Sequence, residues 1–186
     1  MAGAHSDPID YNKLSDALSF YTNCGYDYVE TPWLVSQEAI NETIPVDRTG
    51  LSTEYGSLVG SAEQGFIELL INGRKIKKSC SISPCFRDEP VYDSLHQVYF
   101  MKLELFEPTA TVDRLESMLK DAQDFYSGYL EVSLLEISEE LIDIIDSKTG
   151  IELGSYGFRH LSNGTSFIYG TGLALPRLDV VLALLD

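Results

Sequence analysis

Apolar positions in this chain follow two rhythms. Leu14, Leu18 and Tyr21 recur at helical spacing after Asp10, a good N-terminal cap, and before Gly25, a stop. That predicts a helix from Tyr11 to about Asn23. Leu115, Met118, Leu119, Ala122 and Phe125 repeat the pattern behind Thr109 or Thr111, predicting a long helix to about Gly128. Another helix is predicted from about Ala62 to Asn72, ended by Gly73, and a short one from Ser36 to Thr43. Period-two alternation marks the strands. Ser79–Phe86 and Gln97–Phe106 pair around a short charged loop whose turn residues are Pro90, Asp93 and Ser94. On the second of these strands Tyr99, Met101, Leu103 and Leu105 share one face, and Phe100, Lys102, Glu104 and Phe106 the other. Gly25–Leu34 reads as a strand closed by Thr31-Pro32. Ser57–Gly60, Glu131–Ile137 and Ile151–Arg159 read as strands, and Lys148-Thr149-Gly150 as a turn. Leu141–Asp146 fits a strand or a short helix equally, and residues 44–56 read as a loop able to lie over a site.

Composition narrows the class. The 186 residues suffice for one domain, 1–186, with 1–10 as a flexible N-terminus. No apolar run approaches 18 residues and no secretory pattern opens the chain, so a cytoplasmic protein away from membranes is expected. Cys24, Cys80 and Cys85 are too few for a disulfide framework. Thirteen Lys and Arg stand against 29 Asp and Glu, a formal net charge of −16. Nucleic-acid binding rests on cations that neutralise phosphates, so DNA is not expected as a partner and tRNA is disfavoured. The one basic run, Arg74-Lys75-Ile76-Lys77-Lys78, fits a solvated turn or a patch steering an anion toward Arg87.

Candidate chemistry concentrates between Cys80 and Pro108. Arg87 and Glu89, two residues apart, are expected to share a face at the end of the first strand, and Phe100, Lys102 and Glu104 share a face of the second. A guanidinium holds phosphate in a fixed fork, and an aromatic ring offers a stacking surface for a base. Together they suit a nucleotide. Phe86-Arg87-Asp88-Glu89, a loop, and then Phe100 followed four residues later by Glu104 resemble motif 2 of the class II aminoacyl-tRNA synthetases, most of all the seryl type. Gly170-Thr171-Gly172-Leu173-Ala174-Leu175-Pro176-Arg177 resembles motif 3, with Pro176 where the family usually carries Glu. Alone, such a glycine pair is a common packing device. Glu152 and Ser155 are similar to the Glu-x-x-Ser ahead of motif 3 in seryl- and pyrrolysyl-type enzymes. Gly25–Leu34 resembles motif 1, and Ser61-Ala62-Glu63 the loop that holds a substrate ammonium. Ser61 and Glu63 fit a helix cap and first-turn acid as well.

The resemblance runs from about residue 11 to the end. It implies an α+β fold, a mostly antiparallel sheet flanked by helices, in a homodimer with Pro32 at the interface. It implies an adenylate-forming ligase using ATP and Mg²⁺ on an amino acid or related small carboxylic acid. Arg87 is implied on the α-phosphate and the substrate carboxylate, Glu89 and Phe100 on the adenine, and Arg177 on the γ-phosphate. Gly172 is implied beside the nucleotide, Glu152 and Ser155 at Mg²⁺, and Ser61, Glu63 and Glu104 in the amino-acid pocket. Asp143 and Asp146 could assist Glu152 or be surface acids. His96 could meet phosphate or be a solvated loop residue, and Tyr99, Met101 and Tyr156 could shape the pocket. The chain reads as a stand-alone catalytic core without an anticodon-binding domain. Its acceptor is open between tRNA and another nucleophile, and a regulatory, ligand-binding paralogue is the alternative. Carrier-protein ligases share the core but use a zinc-bound pocket, and no Cys stands beside Gly60 or within Gly154–Phe158 to match it.

Overall fold

The computed structural model describes residues 8–45, 50–89 and 91–185. His5, Pro90, most of the N-terminal ten residues and part of the 44–56 loop lie outside the described residues. Asp10 caps α1 (Tyr11–Asn23), its carboxylate accepting from the amides of Asn12 and Lys13. A seven-stranded sheet follows in the order β1-β5-β6-β10-β9-β8-β7. Its strands are β1 (Asp27–Tyr28), β5 (Ser79–Phe86), β6 (Tyr99–Glu107), β7 (Val132–Ser138), β8 (Leu141–Asp146), β9 (Glu152–His160) and β10 (Ser166–Leu175). Every pair is antiparallel except β1 with β5. The architecture is α+β, a mostly antiparallel sheet flanked by helices.

The two faces of β6 separate as alternation predicts. Leu103 and Leu105 enter a core with α1, α4 (Val112–Tyr126) and α5 (Arg177–Leu185). Phe106 enters a second core on the other face, stacked on Phe66 of α3 (Ala62–Ile71) at 4.9 Å and against Phe167 of β10 at 4.9 Å. The helix α2 (Gln37–Asn41) joins this second layer. So does a small sheet of β2 (Leu34–Val35), β3 (Ser52–Thr53) and β4 (Gly56–Leu58). Its helices and small sheet leave part of the main sheet open for a cavity.

Two segments come out differently from the sequence reading, and one that it left open is settled. The strand expected over Gly25–Leu34 is two dipeptide strands, because Pro32 has no amide to donate to a ladder. Thr31 turns inward, and its Oγ1 lies 2.8 Å from Ser81 Oγ. Leu141–Asp146 is a strand. The 44–56 segment contributes β3 as well as loop.

The glycines of β10 face the helical core and not the cavity. A Cβ at Gly172 would lie 2.5 Å from Leu103 Cδ2 and 2.8 Å from Tyr21 Cε2. One at Gly170 would meet Tyr156 Cδ1 at 2.5 Å and Met118 Sδ at 2.6 Å. Tyr21 uses that space to donate its hydroxyl to the Gly172 carbonyl at 2.9 Å. Gly172 sits at a register shift between Thr171 and Leu173, so the extra residue of a bulge is one without a side chain. On the Cβ side of these glycines the close approach is made by core side chains. Replacing Gly170 with Ala overpacks this core and should cost about 1–3 kcal/mol. Urea unfolding checks this, and ATP affinity of the folded variant should not change.

Candidate active site

Arg87 leaves the end of β5 and is fixed from three sides. Its backbone amide donates to the Val98 carbonyl at 2.9 Å. Its Nε donates to the Gly60 carbonyl at 3.2 Å. Its guanidinium lies over the Phe100 ring, 5.0 Å from the centroid. The strand ends at Phe86, so Arg87 and Glu89 share a cavity wall without sharing a strand. The cavity is about 340 Å³. Its apolar wall includes Ile40, Ile44, Leu58 and Phe86, and its polar wall Ser61, Glu63, Arg87, Asp88, Glu89, Lys102, Ser155 and Arg159. Gln64 ties the rim by accepting from the Gly60 amide at 2.7 Å and donating to Thr43 Oγ1 at 2.8 Å.

The floor carries two ion pairs. Glu63, buried in the first turn of α3, faces Arg159 of β9, with Nε 2.7 Å from Oε1 and Nη2 3.4 Å from Oε2. Arg159 in turn lies over the Tyr169 ring at 4.9 Å. Burial pushes the Glu63 carboxyl above its ordinary range while Arg159 pulls it back, and Glu63 raises Arg159 against the opposing effect of burial. Glu104 is fully buried. It lies beside Lys102 Nζ at 2.8 Å and accepts a short hydrogen bond from Ser61 Oγ. Glu104 therefore sits behind the cavity wall. Ser61 caps α3, as the helix reading expects, and it also lines the cavity.

A second cluster gathers at the ends of β8, β9 and β10. Arg177, first residue of α5, places Nη1 2.7 Å from Glu152 Oε1. Glu152 and Ser155 are three apart and would face opposite ways on a regular strand. A register shift beside Ile144 and Ile145 inserts Leu153 as an extra residue and returns both to one face. Ser155 donates to Asp143 across the ladder. Burial raises the Asp143 carboxyl, the Ser155 hydroxyl lowers it, and Glu152 raises it further. Asp143 thus joins Glu152. Asp146 is buried and instead caps the turn at Thr149. Ser155 also lines the cavity and links the two clusters.

Other candidates fall elsewhere. Tyr156 is wholly in the helical core, Met101 packs against it, and Tyr99 is exposed. His96 is an exposed loop residue bonded to Asp93 at 2.9 Å. In the basic run, Lys78 is engaged with Asp121 at 3.1 Å and the Tyr26 ring at 4.0 Å. Arg159 escaped the sequence reading. Its one signal was a charge two steps from Gly157 and four from Ser155, on the same face of a strand.

No family model matches this chain. The fold is that of the class II aminoacyl-tRNA synthetase catalytic cores. Among solved structures, the chain is similar to pyrrolysyl-tRNA synthetase from Desulfitobacterium hafniense, with a TM-score of 0.72 and 20% identity over 92% of this chain and 68% of that one. It is also similar to seryl-tRNA synthetase from Pyrococcus horikoshii complexed with ATP, with a TM-score of 0.72 and 16% identity over 94% of this chain and 50% of that one. A curated serine–tRNA ligase of Encephalitozoon cuniculi is 26% identical over 152 residues, 71% of this chain. The chain spans 34% of that ligase's length. No described helix is long and apolar enough to cross a membrane.

Proposed function

We propose that this core activates an amino acid or related small carboxylic acid with ATP, forming an acyl-adenylate for transfer to a tRNA or another nucleophile. The observation that carries the reading is the pairing of two cationic anchors with their neighbours, Arg87 over Phe100 and Arg177 against Glu152. The substrate carboxylate attacks the α-phosphorus and pyrophosphate leaves. Positioning and charge neutralisation, which this arrangement supplies, dominate the rate of such transfers. Arg87 would hold the α-phosphate and the incoming carboxylate, Phe100 and Glu89 the adenine, and Arg177 the γ-phosphate. The residues present fit a magnesium ion only in part. Glu152, Ser155 and Asp143 supply oxygens, but no described group of three His, Cys, Asp or Glu makes a metal site by itself. Mg²⁺ would therefore be shared with phosphate oxygens, and it would neutralise charge there. The seryl structure complexed with ATP supports ATP as co-substrate. The exposed Tyr28, Trp33 and Leu34 around Pro32 support a homodimer using that surface.

ATP–pyrophosphate exchange across the twenty amino acids and related acids tests the reading. Exchange with one acid, lost in Arg87→Ala, is the expected result. A folded protein that binds ATP and exchanges with none would overturn it. A second reading, a ligand-binding paralogue without catalysis, draws on Glu63 and Glu104 both being held by internal cations. The same assay separates the two.

A further inference from the structure

The wall that should receive a substrate ammonium is already neutralised. Glu63, the carboxylate of the Ser-Ala-Glu loop, is gripped by both a terminal and the inner nitrogen of Arg159. Glu104 is sealed behind Lys102 and Ser61. Asp88 and Glu89, the other acids on the described lining, also have interaction partners. Three cations, Arg87, Lys102 and Arg159, face the same space, and one part of the wall, at Ile40, Ile44, Leu58 and Phe86, is apolar. An ammonium placed against Glu63 has to compete with a bidentate guanidinium for that carboxylate, and it lies in a cavity that Arg87 and Lys102 also line. A carboxylate placed beside Arg87 can pair with that guanidinium without displacing the Glu63–Arg159 pair.

We propose that the cavity selects a carboxylic acid with an apolar body and no free α-ammonium group, such as an unsubstituted or 2-hydroxy acid. This deepens the activation reading and rests on it for the role of the acid, but binding tests it independently. Wild-type protein is titrated calorimetrically, with ATP and Mg²⁺ present, against matched pairs. These are L-leucine with 4-methylpentanoate and 2-hydroxy-4-methylpentanoate, and L-phenylalanine with 3-phenylpropanoate and 3-phenyllactate. L-methionine with 4-(methylthio)butanoate completes the set. In each pair that binds, the acid lacking the ammonium should bind about tenfold tighter or more. A smaller preference, a preference for the amino acid, or no binding by any probe overturns the proposal. Pyrophosphate exchange with the acids that bind is then measured separately. Binding with the stated preference but without exchange defeats the activation reading and leaves the selectivity standing.

Discussion

Arg177→Ala should lower ATP–pyrophosphate exchange by about 100- to 1,000-fold with little change in stability. The size follows from the role. Charge on a transferring phosphoryl group is neutralised by preplaced cations, and removing one fixed donor from such a site costs about two to three orders of magnitude. The small stability effect follows from exposure. The Arg177 and Glu152 side chains are 22% and 43% exposed, and pairs this open contribute about 0–1 kcal/mol. Arg177→Lys should recover only part of the loss, because an ammonium cannot reproduce the planar fork that meets two oxygens at once. Exchange kinetics at saturating acid, with ATP varied, check the prediction. Activity within about threefold of wild type in the Ala variant would remove Arg177 from the phosphate site.

That residue was legible in the sequence because its signal is local. Arg177 follows a strand and a glycine pair at a fixed distance, and short-range spacing survives folding unchanged. The strand Ser79–Phe86 and the helix Tyr11–Asn23 were legible for the same reason. Their caps, turns and alternation are written in consecutive residues. What stayed hidden depends on partners far along the chain. Arg159 meets Glu63 across 96 residues, and no spacing rule joins them. The face taken by Glu152 depends on a bulge at Leu153, which alternation alone cannot place. Gly170 and Gly172 were visible as a motif, but their direction came only from Tyr21, Leu103, Met118 and Tyr156 packing against them. The motif residues thus mark where the proposed site lies, while tertiary pairing arranges its charges.

Arg159→Met carries the largest expected effect on stability, and its pH dependence identifies the cause. Glu63 is 6% exposed and Arg159 is the strongest favourable influence on its ionised form. Removing one partner of a buried pair strands the other charge, at a cost of about 3–5 kcal/mol. For a domain of this size that is a fall in Tm of roughly 6–20 °C at neutral pH. With the guanidinium gone, the folded-state pKa of Glu63 moves further above that of the unfolded chain, about 4.3. The folded state then binds the extra proton, so stability falls as pH rises from that value toward the raised one, and it is recovered on acidification. The variant should therefore gain on wild type as pH is lowered from 7 toward 5. Adding Glu63→Met removes the stranded charge and should return most of the loss, since apolar pairs of similar volume replace buried ion pairs at little cost. Thermal unfolding of the single and double variants across that pH range checks all three expectations. A single variant with an unchanged Tm, or a loss independent of pH and not rescued by Glu63→Met, would mean that Arg159 does not hold Glu63 ionised in the folded protein. The cavity's acid would then be open to a substrate cation after all.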